Sequence, residues 1–266
     1  ISTGKFTGVN VVGLGFHIGS QLMNIQPILD SIKCMFNVID RFKNIKHIDI
    51  GGGLGINYNV APFNINPKTG LIHGNLSPTQ MYNIFNENLY KRISKFINSV
   101  VTLIDTYQNG KYKHLKIMCE PGRSIIGHHG ILLSKTILTK NNGSKNFIIL
   151  DCSMTELIRP CLYSANHPII PLMSSKIYSN NSGTIMADFV GPVCESSDFL
   201  GKNRTISSNI KAGINVAILN AGAYGYVMSS NYNGRVKPTQ LMLDNDNKII
   251  VINKRENLND IIYDEL

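Results

Sequence analysis

The chain has 266 residues, 43% hydrophobic and 16% charged, with a net charge of +9, the balance of an ordinary globular protein of one large or two modest domains. No window approaches the roughly 18 uninterrupted apolar residues of a membrane span. The lysines are scattered instead of clustered, which argues against a nucleic-acid surface, although a positive balance would favour an acidic, phosphorylated ligand.

Five cysteines occur, Cys34, Cys119, Cys152, Cys161 and Cys194. An odd number without a C-x-x-C pair makes neither a disulfide framework nor a zinc site, and a reducing cytoplasm fits best. His128 and His129 are adjacent and so do not face one another on a helix; no metal site is expected. The opening Ile1-Ser2-Thr3-Gly4-Lys5 is neither a signal nor a transit peptide. Without an initiator methionine, the chain is expected to be a fragment or a processed product.

Residues 9–18 form an apolar, β-branched run that predicts a buried strand. Ile25, Ile28, Leu29, Ile32, Phe36 and Ile39 follow at helical spacing. Residues 45–50 predict a second strand, ending in Gly51-Gly52-Gly53. A polar loop spans about 57–78, and Ser77 before Pro78 predicts the cap of a second helix marked by Met81, Phe85, Leu89 and Phe96. A third strand at 115–119 ends in Glu120-Pro121-Gly122-Arg123. Strand, helix, strand, helix, strand implies a parallel sheet or barrel.

After about residue 130 the texture changes to short β-rich runs at 131–138, 146–151, 184–190 and 216–219, which predict a mostly antiparallel β domain. The domain division is therefore 1–130 and 131–266. The cysteines other than Cys194, among them Cys34 on a helix and Cys119 at a strand end, are read as core filling.

The three early strands each end in polar or glycine-rich residues, and in parallel α/β folds such ends build the ligand site. The glycine run offers bare N–H groups to a phosphate, though by itself such a run is more often a tight turn. Glu120 could hold a ring nitrogen protonated or be a solvated loop acid. His17 could stack on an aromatic ligand or be structural. Together they suit pyridoxal phosphate, whose protonated pyridine is an electron sink. Further along, GPVCESSDFLG crowds Cys194, Glu195 and Asp198 into one loop, either a polar turn or a carrier of a proton and a negative charge.

FHIGSQ at 16–21, DIGGGLGI at 49–56, EPGRS at 120–124, DCSMTELIRPCLYSANHPI at 151–169, GPVCESSDFLG at 191–201 and AGAYGYVMSSNYNGRVKP at 221–238 resemble the fold-type III pyridoxal-phosphate decarboxylases, and among them the diaminopimelate decarboxylase family. The motifs stand in the family's order across nearly the whole chain. The resemblance implies an alanine-racemase-like (β/α)8 TIM barrel, here incomplete, followed by a β-barrel or sandwich domain. It implies decarboxylation of meso-2,6-diaminopimelate to L-lysine. His17 would stack on the cofactor ring and share in catalysis. Ser20, Gly52, Gly53, Gly122 and Arg123 would hold the phosphate or shape its pocket, Glu120 would pair with the pyridine nitrogen, and Tyr224 would contact the phosphate near the substrate. Arg123, Arg159 and Tyr163 would bind substrate, and Glu195 its distal ammonium. The Cys194–Glu195 loop would cross a homodimer interface and complete the partner's site, Cys194 giving its proton to the carbanion carbon.

The family's Schiff-base lysine precedes the HIGSQ segment, where only Lys5 stands here, in a stretch unlike the lysine motif. A (β/α)8 barrel takes about 250 residues by itself. About 130 precede the β domain, so the chain resembles roughly the C-terminal three-fifths of the enzyme. It is expected to show little or no activity alone. Ornithine, arginine and carboxynorspermidine decarboxylases share the cofactor motifs and remain alternatives, as do a degenerate, non-catalytic homologue and, last, an unrelated phosphate-binding barrel.

Overall fold

The computed structural model of the protein describes residues 8–58, 78–172 and 183–263, the side chains of 78–89 excepted. Lys5, Ser77 as a helix cap, and the side chains of Met81, Phe85 and Leu89 lie outside the described residues, as does most of the polar loop at 57–78. The chain divides into two compact units, Ile1–Asn57 with Ser77–Ile125, and Tyr58–Leu76 with Ile126–Leu266.

In the first unit, β1 (Gly13–Gly15), β2 (His47–Asp49) and β3 (Lys116–Met118) form a parallel sheet in that order. Parallel neighbours need a crossover. Helix α1 (Gln26–Ile39) follows β1, and α2 (Pro78–Thr106) follows β2. Proline in the first turn of α1 starts the helix without losing a bond. Its apolar spacing buries Ile28, Ile32, Met35, Phe36 and Ile39 against Ile48 and Ile50 of the β2 region and Val100 and Ile104 of α2. Phe36 stacks on Tyr112 with ring centroids 4.1 Å apart. Each such aliphatic or aromatic side chain contributes about 1.5–3 kcal/mol on burial. The strands are shorter than their apolar runs because glycines interrupt β1, yet ladder bonds continue past its ends, from Lys46 N–H to Val12 O (2.8 Å) and from Phe16 N–H to Asp49 O (3.0 Å).

In the second unit, β4 (Leu132–Asn141), β5 (Asn146–Leu150), β6 (Ile169–Leu172), β7 (Thr184–Val190), β8 (Phe199–Ser207) and β9 (Asn215–Ile218) form one sheet in the order β6-β9-β4-β5-β7-β8. All neighbours are antiparallel except β5 and β7. The chain between those two carries the short helix α3 (Arg159–Tyr163) and β6. The first residues of β4 pair with β9 and the rest with β5, with a register shift between Thr136 and Leu138. Ile148, Leu150, Leu157, Phe189, Leu200, Ile206, Val216 and Ile218 fill the core beneath. A hairpin of β10 (Gln240–Leu243) and β11 (Ile249–Asn253) follows. Last comes α4 (Leu258–Ile262), where Asn257 accepts from Asn259 N–H (2.9 Å) and Asp260 from Asn257 N–H (2.7 Å), a reciprocal cap. Among the described residues no helix is long and apolar enough to cross a membrane.

Candidate functional site

In the first unit the three strand ends lie side by side because the strands are parallel neighbours. Ile50 N–H donates to Met118 O (3.0 Å) and Glu120 N–H to Gly51 O (2.9 Å), so pairing continues into the loops. Leu22 N–H likewise reaches Gly53 O (2.8 Å). The glycines permit this approach. A Cβ on Gly52 would stand 2.3 Å from Glu120 O, and one on Gly53, whose φ is +87°, 2.0 Å from Gly19 O. No side chain fits at either place.

The expectation of bare N–H groups along the run needs correcting. Gly51 N–H donates to Asp49 Oδ1 (2.8 Å) and Gly52 N–H to His17 Nδ1 (3.3 Å). The second bond uses Nδ1 as an acceptor and leaves Nε2 facing away from the glycine run. His17, Ser20, Glu120 and Gly122 are exposed, whereas Arg123 is buried and donates from Nη2 to Ser20 Oγ (3.2 Å). Ser124 is also buried, and its Oγ has no hydrogen-bond partner among the described residues. The glycine cradle, the buried guanidinium, the unpartnered hydroxyl and an exposed carboxylate fit a phosphorylated heteroaromatic group.

In the second unit Arg159 opens α3 and is buried. Its guanidinium carbon lies 4.8 Å from the ring centroid of Tyr58 and 5.6 Å from that of Tyr163, a cation between two π faces. Tyr58 also donates its hydroxyl to Ala223 O (3.1 Å) and meets the His167 ring edge-on at 5.0 Å. It thereby joins Arg159 to the turn that carries Tyr224. Tyr163 and Tyr224 are themselves exposed. The sequence reading gave Tyr58 no role, placing it in a polar loop; an aromatic two residues past an apolar Gly-Ile pair was the available signal.

The two acids of GPVCESSDFLG behave differently. Asp198 is buried and accepts from Met154 N–H at Oδ1 (2.7 Å) and from Val193 N–H at Oδ2 (2.8 Å). Burial pushes its carboxyl above the ordinary aspartate range, against the pull of those two N–H groups. Glu195 accepts from Ser197 N–H (3.2 Å), Ser196 Oγ (3.1 Å) and Tyr232 OH (3.4 Å). The Ser197 N–H first, then the hydroxyls, hold its carboxyl below the ordinary glutamate range, so it is anionic at neutral pH. Cys194, immediately before Glu195, is exposed.

Beneath lies a network that the sequence reading missed. Buried Glu156 accepts from Ser153 N–H (2.8 Å), Ser153 Oγ (2.8 Å) and Thr155 Oγ1 (3.0 Å), and pairs with Arg235 Nη2 (2.8 Å). Of the cysteines read as core filling, Cys34 and Cys119 are exposed, lying on the outer side of α1 and past the end of β3, and Cys152 is buried with its thiol pushed up by desolvation. His128 Nδ1 shares a hydrogen bond with Asn220 Oδ1 (2.7 Å).

Comparison with known proteins adds to this geometry. Residues 36–222 match the family model described as the pyridoxal-dependent decarboxylase C-terminal sheet domain. The diaminopimelate decarboxylase of Aquifex aeolicus is 35% identical over 266 residues, 98% of this chain and 54% of that protein. Among solved structures, the diaminopimelate decarboxylase of Helicobacter pylori complexed with L-lysine is 32% identical with a TM-score of 0.71, over 96% of this chain and 55% of that one. The diaminopimelate decarboxylase of M. jannaschii in co-complex with L-lysine is 26% identical with a TM-score of 0.76, over 98% and 53%. The chain spans about half the length of the curated relatives it matches.

Proposed function

The chain belongs to the pyridoxal-dependent decarboxylase family, and on that premise we propose that it is part of an enzyme converting meso-2,6-diaminopimelate to L-lysine with pyridoxal phosphate. Residues 1–130 are then the later part of a (β/α)8 barrel, and 131–266 its β domain. The observation that carries the reading is a division of charge in the second unit: a buried arginine between two tyrosine rings and a glutamate kept anionic by local donors. A substrate with both a carboxylate and an ammonium at its far end needs that pair of readers.

Pyridoxal phosphate, when bound, supplies a protonated pyridine that withdraws electrons from the carbon losing its carboxylate. Gly52, Gly53, Gly122, Ser20 and Arg123 would hold its phosphate, with Tyr224 as a further donor. Glu120 would accept from the ring nitrogen and keep it protonated. The His17 ring, oriented by Gly52 N–H, would stack on its face. Arg123, Arg159 and Tyr163 bind the substrate. Glu195 accepts from the distal ammonium.

Cys194 gives the proton to the carbon that has lost carbon dioxide; a thiol is apt because its ordinary pKa, about 8.5, lies near neutrality. The loop of one copy completes the site of a second copy in a homodimer. Exposed free thiols at Cys34, Cys119 and Cys194 suit the reducing cytoplasm.

The test is turnover by the longer protein that joins this chain to a segment carrying the anchoring lysine. Diaminopimelate is expected to give the highest kcat/KM among diaminopimelate, ornithine, arginine and carboxynorspermidine. Preference for ornithine would overturn the substrate assignment. The 266-residue chain alone, supplied with pyridoxal phosphate, is expected to give no measurable turnover.

A further inference from the structure

Asp198 follows Cys194 and Glu195 in one loop, yet it takes no part in the chemistry proposed above. It is 5% exposed, and both carboxylate oxygens are engaged inward. One oxygen holds Val193 N–H, the amide immediately before Cys194. The other holds Met154 N–H, in the turn that also carries Ser153, Thr155 and Glu156. Two main-chain bonds close the same loop, Gly191 N–H to Asp198 O (3.1 Å) and Asp198 N–H to Glu195 O (3.1 Å). A Cβ on Gly191 would stand 2.3 Å from Asp198 Oδ2, so glycine there makes room for the carboxylate.

Resting on the functional reading above, we propose that Asp198 is the positioning residue that sets the conformation of the Cys194–Glu195 turn, and through it the direction in which the thiol and the Glu195 carboxylate point. The chemistry selects a carboxylate. Two N–H donors, one per oxygen, can be satisfied by aspartate. Asparagine offers one oxygen and an amide NH2, which would face the second N–H donor to donor. Serine lacks the reach and the second acceptor. Without these bonds, residues 191–198 regain conformations whose loss the native loop must otherwise bear.

The test is a double-mutant cycle in the longer, lysine-carrying protein, reading kcat for diaminopimelate, which the Cys194 proton would set while Glu195 acts on KM. Asp198→Asn is expected to lower it by about tenfold or more when Cys194 is present. In a Cys194→Ser background the same change is expected to cost about twofold or less, because a turn already without its thiol has less to lose. Asp198→Ala should follow the same pattern with a larger first loss; if it does not fold, Asp198→Asn alone decides. Equal losses in both backgrounds, or none in either, would overturn the positioning role while leaving the functional reading intact. If Cys194→Ser by itself leaves turnover unchanged, the functional reading falls and the positioning role with it. A readout free of activity is amide exchange in the 266-residue chain. Asp198→Asn should speed exchange at Val193 and Met154 and leave β5 and β7 unchanged; unchanged exchange at both amides would contradict the proposal.

Discussion

The first unit holds its strand-end loops mainly by letting main chain touch main chain, with one carboxylate bond from Asp49, whereas the loops around Cys194 and Arg235 in the second are held mainly by buried or half-buried carboxylates that accept from main-chain N–H groups. In the first, glycines at 52 and 53 bring the loops within 2.3 and 2.0 Å of a would-be Cβ. In the second, Asp198, Glu156 and Glu256 each gather one or two backbone donors. Glycine contacts work by the absence of atoms and are insensitive to pH. Carboxylate clamps carry charge into partly buried places and depend on ionisation, on a counter-ion, or on both.

The largest way to break that contrast is at the Glu156–Arg235 pair. Arg235→Met leaves the Glu156 carboxylate buried without its cation, which should cost about 3 kcal/mol in denaturant unfolding. Replacing both, as Glu156→Leu with Arg235→Met, should cost less than the single change. Next comes Gly53→Ala, which places a side chain at a φ of +87° against Gly19 O. It should cost about 2–3 kcal/mol and weaken pyridoxal phosphate binding, read by the absorbance of the bound ring.

A smaller effect sharpens the comparison at Tyr58. Tyr58→Phe keeps the ring over Arg159 and loses the hydroxyl's bond to Ala223 O, for about 1 kcal/mol of stability. Tyr58→Leu also removes the π face and should raise KM for diaminopimelate more than it lowers kcat.

The smallest concerns pH. Lys237 N–H first, then Asn231 and the Lys237 charge, lower the pKa of Glu256 in the folded chain. A carboxyl with a depressed folded pKa contributes stability above its unfolded value, about 4.3. That contribution is lost as pH falls through the lower folded value. Amide exchange at Lys237 should therefore accelerate only in that acid window, while exchange at Glu120, bonded to Gly51 O, shows no step there.

Legibility from sequence followed the same divide. The parallel sheet and the α1 face were readable because apolar spacing and strand-end glycines are local signals, and Ile28, Ile32, Phe36 and Ile48 lie in the core as their spacing implied. β8 was not read because Gly201, Lys202, Asn203 and Arg204 interrupt its apolar pattern, and its pairing with β7 carries register shifts. The β10–β11 hairpin was passed over although Asp244 caps its turn by accepting from Asp246 and Lys248 N–H. Among the site's acids, the family resemblance offered roles for Glu120 and Glu195 and none for Asp198. Nothing local tells that Glu195 stays at the surface while Asp198 turns inward, since that depends on Met154, 44 residues earlier. Tyr58 and Arg235 were hidden for the same reason: their partners, Arg159 and Glu156, lie far off in sequence.

The most direct test sets the proposed cofactor contact, Glu120, against the proposed substrate contact, Glu195, in the lysine-carrying protein. Glu120→Gln should shift the visible absorbance of bound pyridoxal phosphate and depress kcat. Glu195→Gln should leave that spectrum in place and raise KM for diaminopimelate at least about tenfold, the loss of one charge-assisted contact. A spectrum that moves with Glu195 and not with Glu120, or a diaminopimelate KM indifferent to Glu195, would contradict the account.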